Sequence, residues 1–224
     1  MATFVLLPGA GSDSWYWHLV VPDLEAAGHD VVAVDLPVTD DTAGFSEYAD
    51  LVVDAIDDRH DVVIVAQSLS GFVAPLVCVR VPVELMILVA AMVPRPGESG
   101  AEWWVDTGHA EARGPDASDD PVAMFLHDVP DDVARESEDH VHPQSGAPFA
   151  APWPLAAWPD VPTRFLLCRE DRFFPPEFLR RTVRERLGIE PDEIDGGHLP
   201  ALSRPHELAQ RLLRYLAEVE RPRR

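Results

Sequence analysis

Three residues of this chain have the type and surroundings that nucleophilic chemistry requires. Ser68 sits in Val65-Ala66-Gln67-Ser68-Leu69-Ser70-Gly71, directly after the apolar run Val62-Val63-Ile64-Val65. A serine between small residues, at a strand end and before a helix, describes a nucleophile elbow. The turn is so tight that bulky side chains two residues before or after the serine would clash. Ala66 and Ser70 fill those places, whereas the usual spelling is Gly-x-Ser-x-Gly. A serine hydroxyl is a poor nucleophile at neutral pH; it needs a base, and the base needs an orienting carboxylate. His198, in Asp195-Gly196-Gly197-His198-Leu199-Pro200, is the candidate base. Its paired glycines let the backbone bring the imidazole close to a sheet edge. Asp171, in Cys168-Arg169-Glu170-Asp171-Arg172-Phe173-Phe174-Pro175, is the candidate acid. Glu170 and Asp160 compete for that role, but Glu170 should point away from its neighbour.

Attack on a carbonyl also needs donors for the developing oxyanion. The first apolar run ends in Leu7-Pro8-Gly9-Ala10-Gly11. The backbone N–H groups of Ala10 and Leu69 are the expected donors, with Gly9 allowing close approach of the substrate. One such donor is worth about 2.7–4 kcal/mol of transition-state stabilisation. The same turn is not a dinucleotide site, because Ser14 stands where G-x-G-x-x-G needs its third glycine.

These residues need a scaffold that brings distant loops to one edge. Strand candidates cover 3–7, 31–35, 62–67, 85–90 and 163–168, with a weaker one at 192–194. They are apolar on both faces, as strands covered by helices on both sides should be. Helix candidates cover 15–27, 46–58, 69–79, 176–187 and 205–219. The alternation predicts an α/β fold with about six mostly parallel strands. In such sheets sites form at the carboxyl ends of the strands, where the loops of Ser68, Asp171 and His198 fall. The rhythm breaks over about 93–160, which holds four of the six tryptophans and four of the nine histidines. Short helical pieces are expected there at 100–107, 120–127 and 130–138. The tryptophans favour a folded helical cap, inserted after the fourth strand of a single domain 1–224.

Composition removes several function classes. The formal charge is −21 and all 18 basic residues are arginine. The absence of lysine excludes lysine Schiff-base chemistry and a P-loop. The acidity argues against nucleic acid and anionic membrane surfaces as partners. No apolar stretch is long enough to span a bilayer, and the first residues show no secretory leader. Cys78 and Cys168 are expected as two buried reduced thiols, and the expected compartment is the cytoplasm.

The chain resembles the α/β-hydrolase superfamily along its whole length. The resemblance runs from Phe4-Val5-Leu6-Leu7-Pro8-Gly9-Ala10 and Trp15-Tyr16-Trp17, through Leu24-Glu25-Ala26-Ala27-Gly28-His29 and Val34-Asp35-Leu36-Pro37, to the three segments above. The order Ser68, Asp171, His198 is that of the superfamily's triad. Within it, the sequence looks most like the branch of plant methyl esterases and hydroxynitrile lyases. The resemblance implies hydrolysis of a small carboxylic ester or lactone, with Ser68 as nucleophile, His198 as base and Asp171 as orienter, and no metal or organic cofactor. Four positions depart from the family's habit: Pro8 replaces a histidine before the oxyanion glycine, and Ala66, Gln67 and Ser70 replace Gly, His and Gly of the elbow. The lyases carry a lysine where this chain has Leu199, so a cyanide leaving group would lack its stabilising charge. A lyase or cyclase using the same pocket, and a non-catalytic small-molecule-binding relative, are the alternatives. A monomer or homodimer acting on a small-molecule ester is expected.

The remaining candidates are weaker. Trp103, Trp104, Phe125, Trp153 and Leu199 are expected substrate contacts, apolar groups of a pocket under the cap. His140 and His142 form a His-x-His pair that reads as a surface turn, since no third metal ligand has suggestive spacing. The acidic stretch of Asp116, Asp119 and Asp120 reads as a solvated loop, and the tail Arg221-Pro222-Arg223-Arg224 as a frayed end.

Overall fold

The computed structural model describes residues 1–115 and 117–220. Asp116 and the tail 221–224 lie outside the described residues. Six strands form one sheet: β1 (Thr3–Leu7), β2 (Asp30–Ala33), β3 (Val62–Gln67), β4 (Leu85–Val89), β5 (Thr163–Cys168) and β6 (Asp192–Ile194). Their order is β2-β1-β3-β4-β5-β6, and every pairing is parallel. The central strands β1, β3 and β4 are buried at every position. This is why they read as unbroken apolar runs. Fully burying one such Val, Leu or Ile contributes about 1.5–3 kcal/mol.

The helices are α1 (Val21–Ala26), α2 (Phe45–Ile56), α3 (Ala74–Cys78), α4 (Gly100–Asp106), α5 (His109–Arg113), α6 (Pro121–Phe125), α7 (Asp131–Ser137), α8 (Ala147–Ala150), α9 (Pro176–Leu187), α10 (Pro200–Ser203) and α11 (Pro205–Glu220). The β1→β2 connection runs one way along the sheet and all later ones run the other. Right-handed crossovers then place α1 on one face and α2, α3 and α9 on the other. The packing agrees: α1 touches α11, and α2 touches α3.

Two expected helices are shorter than their apolar pattern. The stretch 15–27 is a 3₁₀ turn at Ser14–Trp17 followed by α1, and 69–79 is a 3₁₀ turn at Ser68–Gly71 followed by α3. Pro22 and Pro75 fall in the first turns of α1 and α3. Proline cannot donate to the carbonyl four residues back, so the helix restarts at each. Strand β2 lies at the sheet edge one residue before the expected 31–35, pairing with β1 alone. Only Cys168 is fully buried; Cys78 is half-buried against Met86, a correction to the expectation of two buried thiols.

The long excursion between β4 and β5 carries α4 to α8. Its three expected helical pieces are present, together with α5, α8 and a 3₁₀ turn at Glu138–His140. It is tied down by Glu98, whose carboxylate takes two bonds from Arg186 of α9, one at 2.8 Å, with both side chains almost wholly buried. Among the described residues, no helix is long and apolar enough to cross a membrane.

Candidate active site

The crevice at which the order of strands reverses, where ligands of such sheets bind, lies here between β1 and β3. Both strands end in it, and each delivers a turn. After β3 the chain bends so sharply that Ser68 takes φ +51°, a left-handed conformation that is uncommon for a non-glycine residue. The bend is held by two contacts. Met92 N–H donates to Ser68 O at 2.9 Å, and the Ser70 hydroxyl donates to Pro8 O. Gly71 is required beneath it: a Cβ there would lie 1.9 Å from Met92 O. Gly9 leaves room above it: a Cβ there would lie 2.2 Å from Gln67 Oε1 and 3.1 Å from Ser68 Cβ, so the Gln67 amide would have to move.

Three of the four positions that depart from the family's habit make bonds around this turn. Ser70 bonds the carbonyl of Pro8, and Gln67 Nε2 donates to the carbonyl of His198 at 3.1 Å. The changes therefore connect the β1 turn, the elbow and the histidine loop.

Asp171 follows β5 and is buried, while Glu170 and Asp160 are exposed. Its Oδ1 accepts from the N–H groups of Phe173 at 2.9 Å and Phe174 at 2.8 Å. This leaves Oδ2 for His198 Nδ1, at 2.7 Å. A carboxylate only accepts, so His198 carries its proton on Nδ1 and turns the Nε2 lone pair to Ser68. Nε2 lies 3.0 Å from Ser68 Oγ. The imidazole is packed by the rings of Phe125, Phe173 and Phe174, with centroids 5.1–5.6 Å away. Its loop is pinned from the excursion by Asp128, whose Oδ2 accepts Gly197 N–H at 2.7 Å. His109 secures the Phe173 end: burial holds its imidazole below the ordinary range, and its Nε2–H donates to Phe173 O at 2.7 Å.

A cavity of about 410 Å³ opens above Ser68 and His198. Gly9, Ala10, Phe125 and Leu199 line it. The N–H groups of Ala10 and Leu69 have no hydrogen-bond partner among the described residues.

Trp103, Trp104 and Trp153 do not line the cavity, which corrects the sequence expectation. Trp103 is fully buried, donating Nε1–H to Val93 O at 3.1 Å and packing on Phe174 and Phe178. Trp104 packs edge-on against Trp103 and His109. Trp153 donates to Phe72 O at 3.0 Å and packs on Trp158. These rings fasten the excursion to the sheet. The aromatic wall is instead Trp15, Tyr16, Phe125 and Phe173. Their sequence signal is adjacency: Trp15-Tyr16 follows the glycine turn, and Phe173 follows Asp171. His140 and His142 are also on the wall, and both reach Asp13, so the surface-turn reading is corrected too.

Comparisons with known proteins agree with this architecture. The model of the alpha/beta hydrolase family matches residues 4–211. Polyneuridine aldehyde esterase of Rauvolfia serpentina is 25% identical, over 94% of each chain. Methylesterase 7 of Arabidopsis thaliana is 26% identical, also over 94% of each. The crystal structure of polyneuridine aldehyde esterase superposes with a TM-score of 0.82 at 22% identity, covering 96% of this chain and 98% of that one. The sheet, the order of its strands and the match along nearly the whole chain place this protein in the alpha/beta hydrolase family, on the side of its methylesterase-like members.

Proposed function

We propose that this protein is a serine hydrolase that cleaves small carboxylic esters or lactones through an acyl-enzyme. The observation that carries the reading is the hydrogen-bond chain from Asp171 through His198 to Ser68, at 2.7 and 3.0 Å, opening on a cavity. Ser68 Oγ attacks the carbonyl carbon while His198 Nε2 takes its proton. Asp171 holds the tautomer and steadies the imidazolium. The carbonyl oxygen becomes an oxyanion between the N–H groups of Ala10 and Leu69. Collapse expels the alcohol, which receives the proton from His198. Water, deprotonated by the same ring, then releases the acid and restores Ser68. Each step moves only protons and acyl groups, so no metal or organic cofactor is required.

The excursion over 93–160 acts as a cap, and Phe125 and Leu126 of its α6 region close the cavity. The relatives named esterase and methylesterase support ester hydrolysis. Leu199 on the wall offers no cation to a departing cyanide, which disfavours a lyase.

A fluorophosphonate probe and short p-nitrophenyl esters test the proposal together. Labelling of Ser68 with ester turnover, both abolished in Ser68→Ala, is the expected result. Binding of small esters without labelling or turnover would overturn it.

A further inference from the structure

The cavity has one wall whose polarity the triad does not use. Residues 140–144 run as a strap beside the turn after β1. His142 N–H donates to Gly11 O at 2.8 Å, Ser12 and Val141 form an antiparallel bridge, and Gln144 Oε1 accepts Gly11 N–H at 3.0 Å. Val141 is extended, so His140 and His142 project to the same side. Both reach one atom: His140 Nδ1 and His142 Nε2 each lie 2.9 Å from Asp13 Oδ2.

That shared oxygen fixes the protons. Burial alone would raise the Asp13 carboxyl, but hydrogen bonds from His142, His140 and the Trp15 N–H outweigh it and hold the group below the usual carboxylate range. Asp13 is therefore ionised at neutral pH and accepts only, so each ring must direct an N–H at it. In a neutral imidazole the second nitrogen is then an acceptor. Those nitrogens are His140 Nε2 and His142 Nδ1, and neither has a partner among the described residues. The two side chains are 30% and 37% exposed. Trp15 stacks on His140 at 4.4 Å and 5°, which sets that ring's plane. Of the other polar side chains on the wall, Gln67 is engaged with His198 O, Ser137 with Ala134 O, Gln144 with Gly11 and Tyr16 with Ala201 N–H, while the Ser12 hydroxyl has no partner among the described residues.

We infer that His140 and His142 are specificity-determining residues that accept a hydrogen bond from a hydroxyl or N–H group on the substrate, remote from its ester. A simple latch for the strap would need the bonds to Asp13, but not two unpaired acceptor nitrogens on residues that line a cavity. A substrate carboxylate would instead meet lone pairs and the Asp13 charge. The inference rests on the ester-hydrolase reading.

The test compares ethyl 3-phenylpropanoate with its 2-, 3- and 4-hydroxyphenyl analogues and the matching methoxyphenyl esters, which cannot donate. At least one hydroxy ester should exceed its methoxy partner about tenfold in kcat/KM, the value of one well-placed hydrogen bond. The ratio should fall below about twofold in His140→Phe and His142→Phe, which keep the ring and remove the nitrogens. The ratio is internal to each variant, so a lower absolute rate does not obscure it. The wild-type ratios are decisive even where a variant fails to fold. Turnover of the unsubstituted ester without any hydroxy preference overturns the inference and leaves the hydrolase reading standing. No turnover of any ester overturns that reading instead. Calorimetric titration of the matched hydroxy- and methoxyphenyl propanamides into Ser68→Ala then decides the wall alone: equal affinities refute it, and tighter hydroxy binding supports it.

Discussion

Gln67 stands where the family often has histidine, and its amide serves two loops. Nε2 holds the His198 carbonyl at 3.1 Å, and Oε1 occupies the space that a Cβ at Gly9 would need. Gln67→Leu keeps much of the volume and leaves a buried carbonyl unpaired. Such a loss costs about 1–3 kcal/mol. We expect a lowered Tm and a kcat reduced about tenfold with little change in KM; an unchanged kcat would refute a positioning role. Asp171 is expected to matter far more. An asparagine there can donate to His198 Nδ1 and stabilise the wrong tautomer, and in a comparable triad that change lowers kcat about 10⁴-fold. A burst experiment with a p-nitrophenyl ester should place the loss in acylation while the far-UV spectrum stays native. The hydrogen-bonded chain of Asp171, His198 and Ser68 was legible because each member has a local setting: small neighbours for Ser68, a loop after an apolar run for Asp171, paired glycines for His198. The cavity wall was less so. A tryptophan carries the same letter in a core as in a pocket, and Trp103 differs from Trp15 only through contacts made far along the chain.

The elements explain why those loops meet. Strands were readable because burial on both faces forces continuous apolar runs. The helices were overextended across Pro22 and Pro75, where apolar spacing continues but the hydrogen-bond ladder cannot. The excursion over 93–160 was readable as folded but not as a path, because its placement depends on ties to remote elements. Two of those ties are testable. Gln144 takes Gly11 N–H at 3.0 Å, and its Nε2 donates to Tyr48 Oη at 3.2 Å, so it anchors the turn that presents Ala10 N–H. Gln144→Ala should lower kcat about 10–100-fold, within the range of losing one oxyanion donor. Affinity for a boronate that mimics the tetrahedral intermediate should fall in parallel, while KM moves little. The other tie is Glu98 with Arg186, bidentate and buried. Removing one partner of a buried pair typically costs 3–5 kcal/mol, because the remaining charge is stranded. Glu98→Ala should therefore unfold at markedly lower urea, whereas a double change to apolar residues of similar volume should recover most of the loss.

At the scale of the whole molecule, 39 acidic side chains face 18 arginines, a formal charge of −21. Self-repulsion of that size opposes the compact state and is screened by salt. Acid acts in the other direction on particular carboxylates. Glu193 is held below its usual range by hydrogen bonds from Arg169 and Arg180, and Asp13 by those from the strap histidines against the opposing effect of burial. A depressed folded-state pKa contributes stability above the unfolded value and loses it as pH falls through the folded one. Resistance to urea unfolding should therefore weaken below about pH 4, where these carboxylates take up protons. The same field reaches the substrate. A neutral ester should show a kcat/KM nearly independent of ionic strength. An ester bearing a remote carboxylate must approach a polyanion and then meet the Asp13 charge behind the wall histidines His140 and His142. Raising ionic strength from about 0.01 to 0.15 M shortens the Debye length from about 30 to 8 Å. The kcat/KM of the anionic ester should rise severalfold over that range, through faster association. A fall with salt would mean that the entrance is locally cationic, and the molecule's charge would then have no part in choosing its substrates.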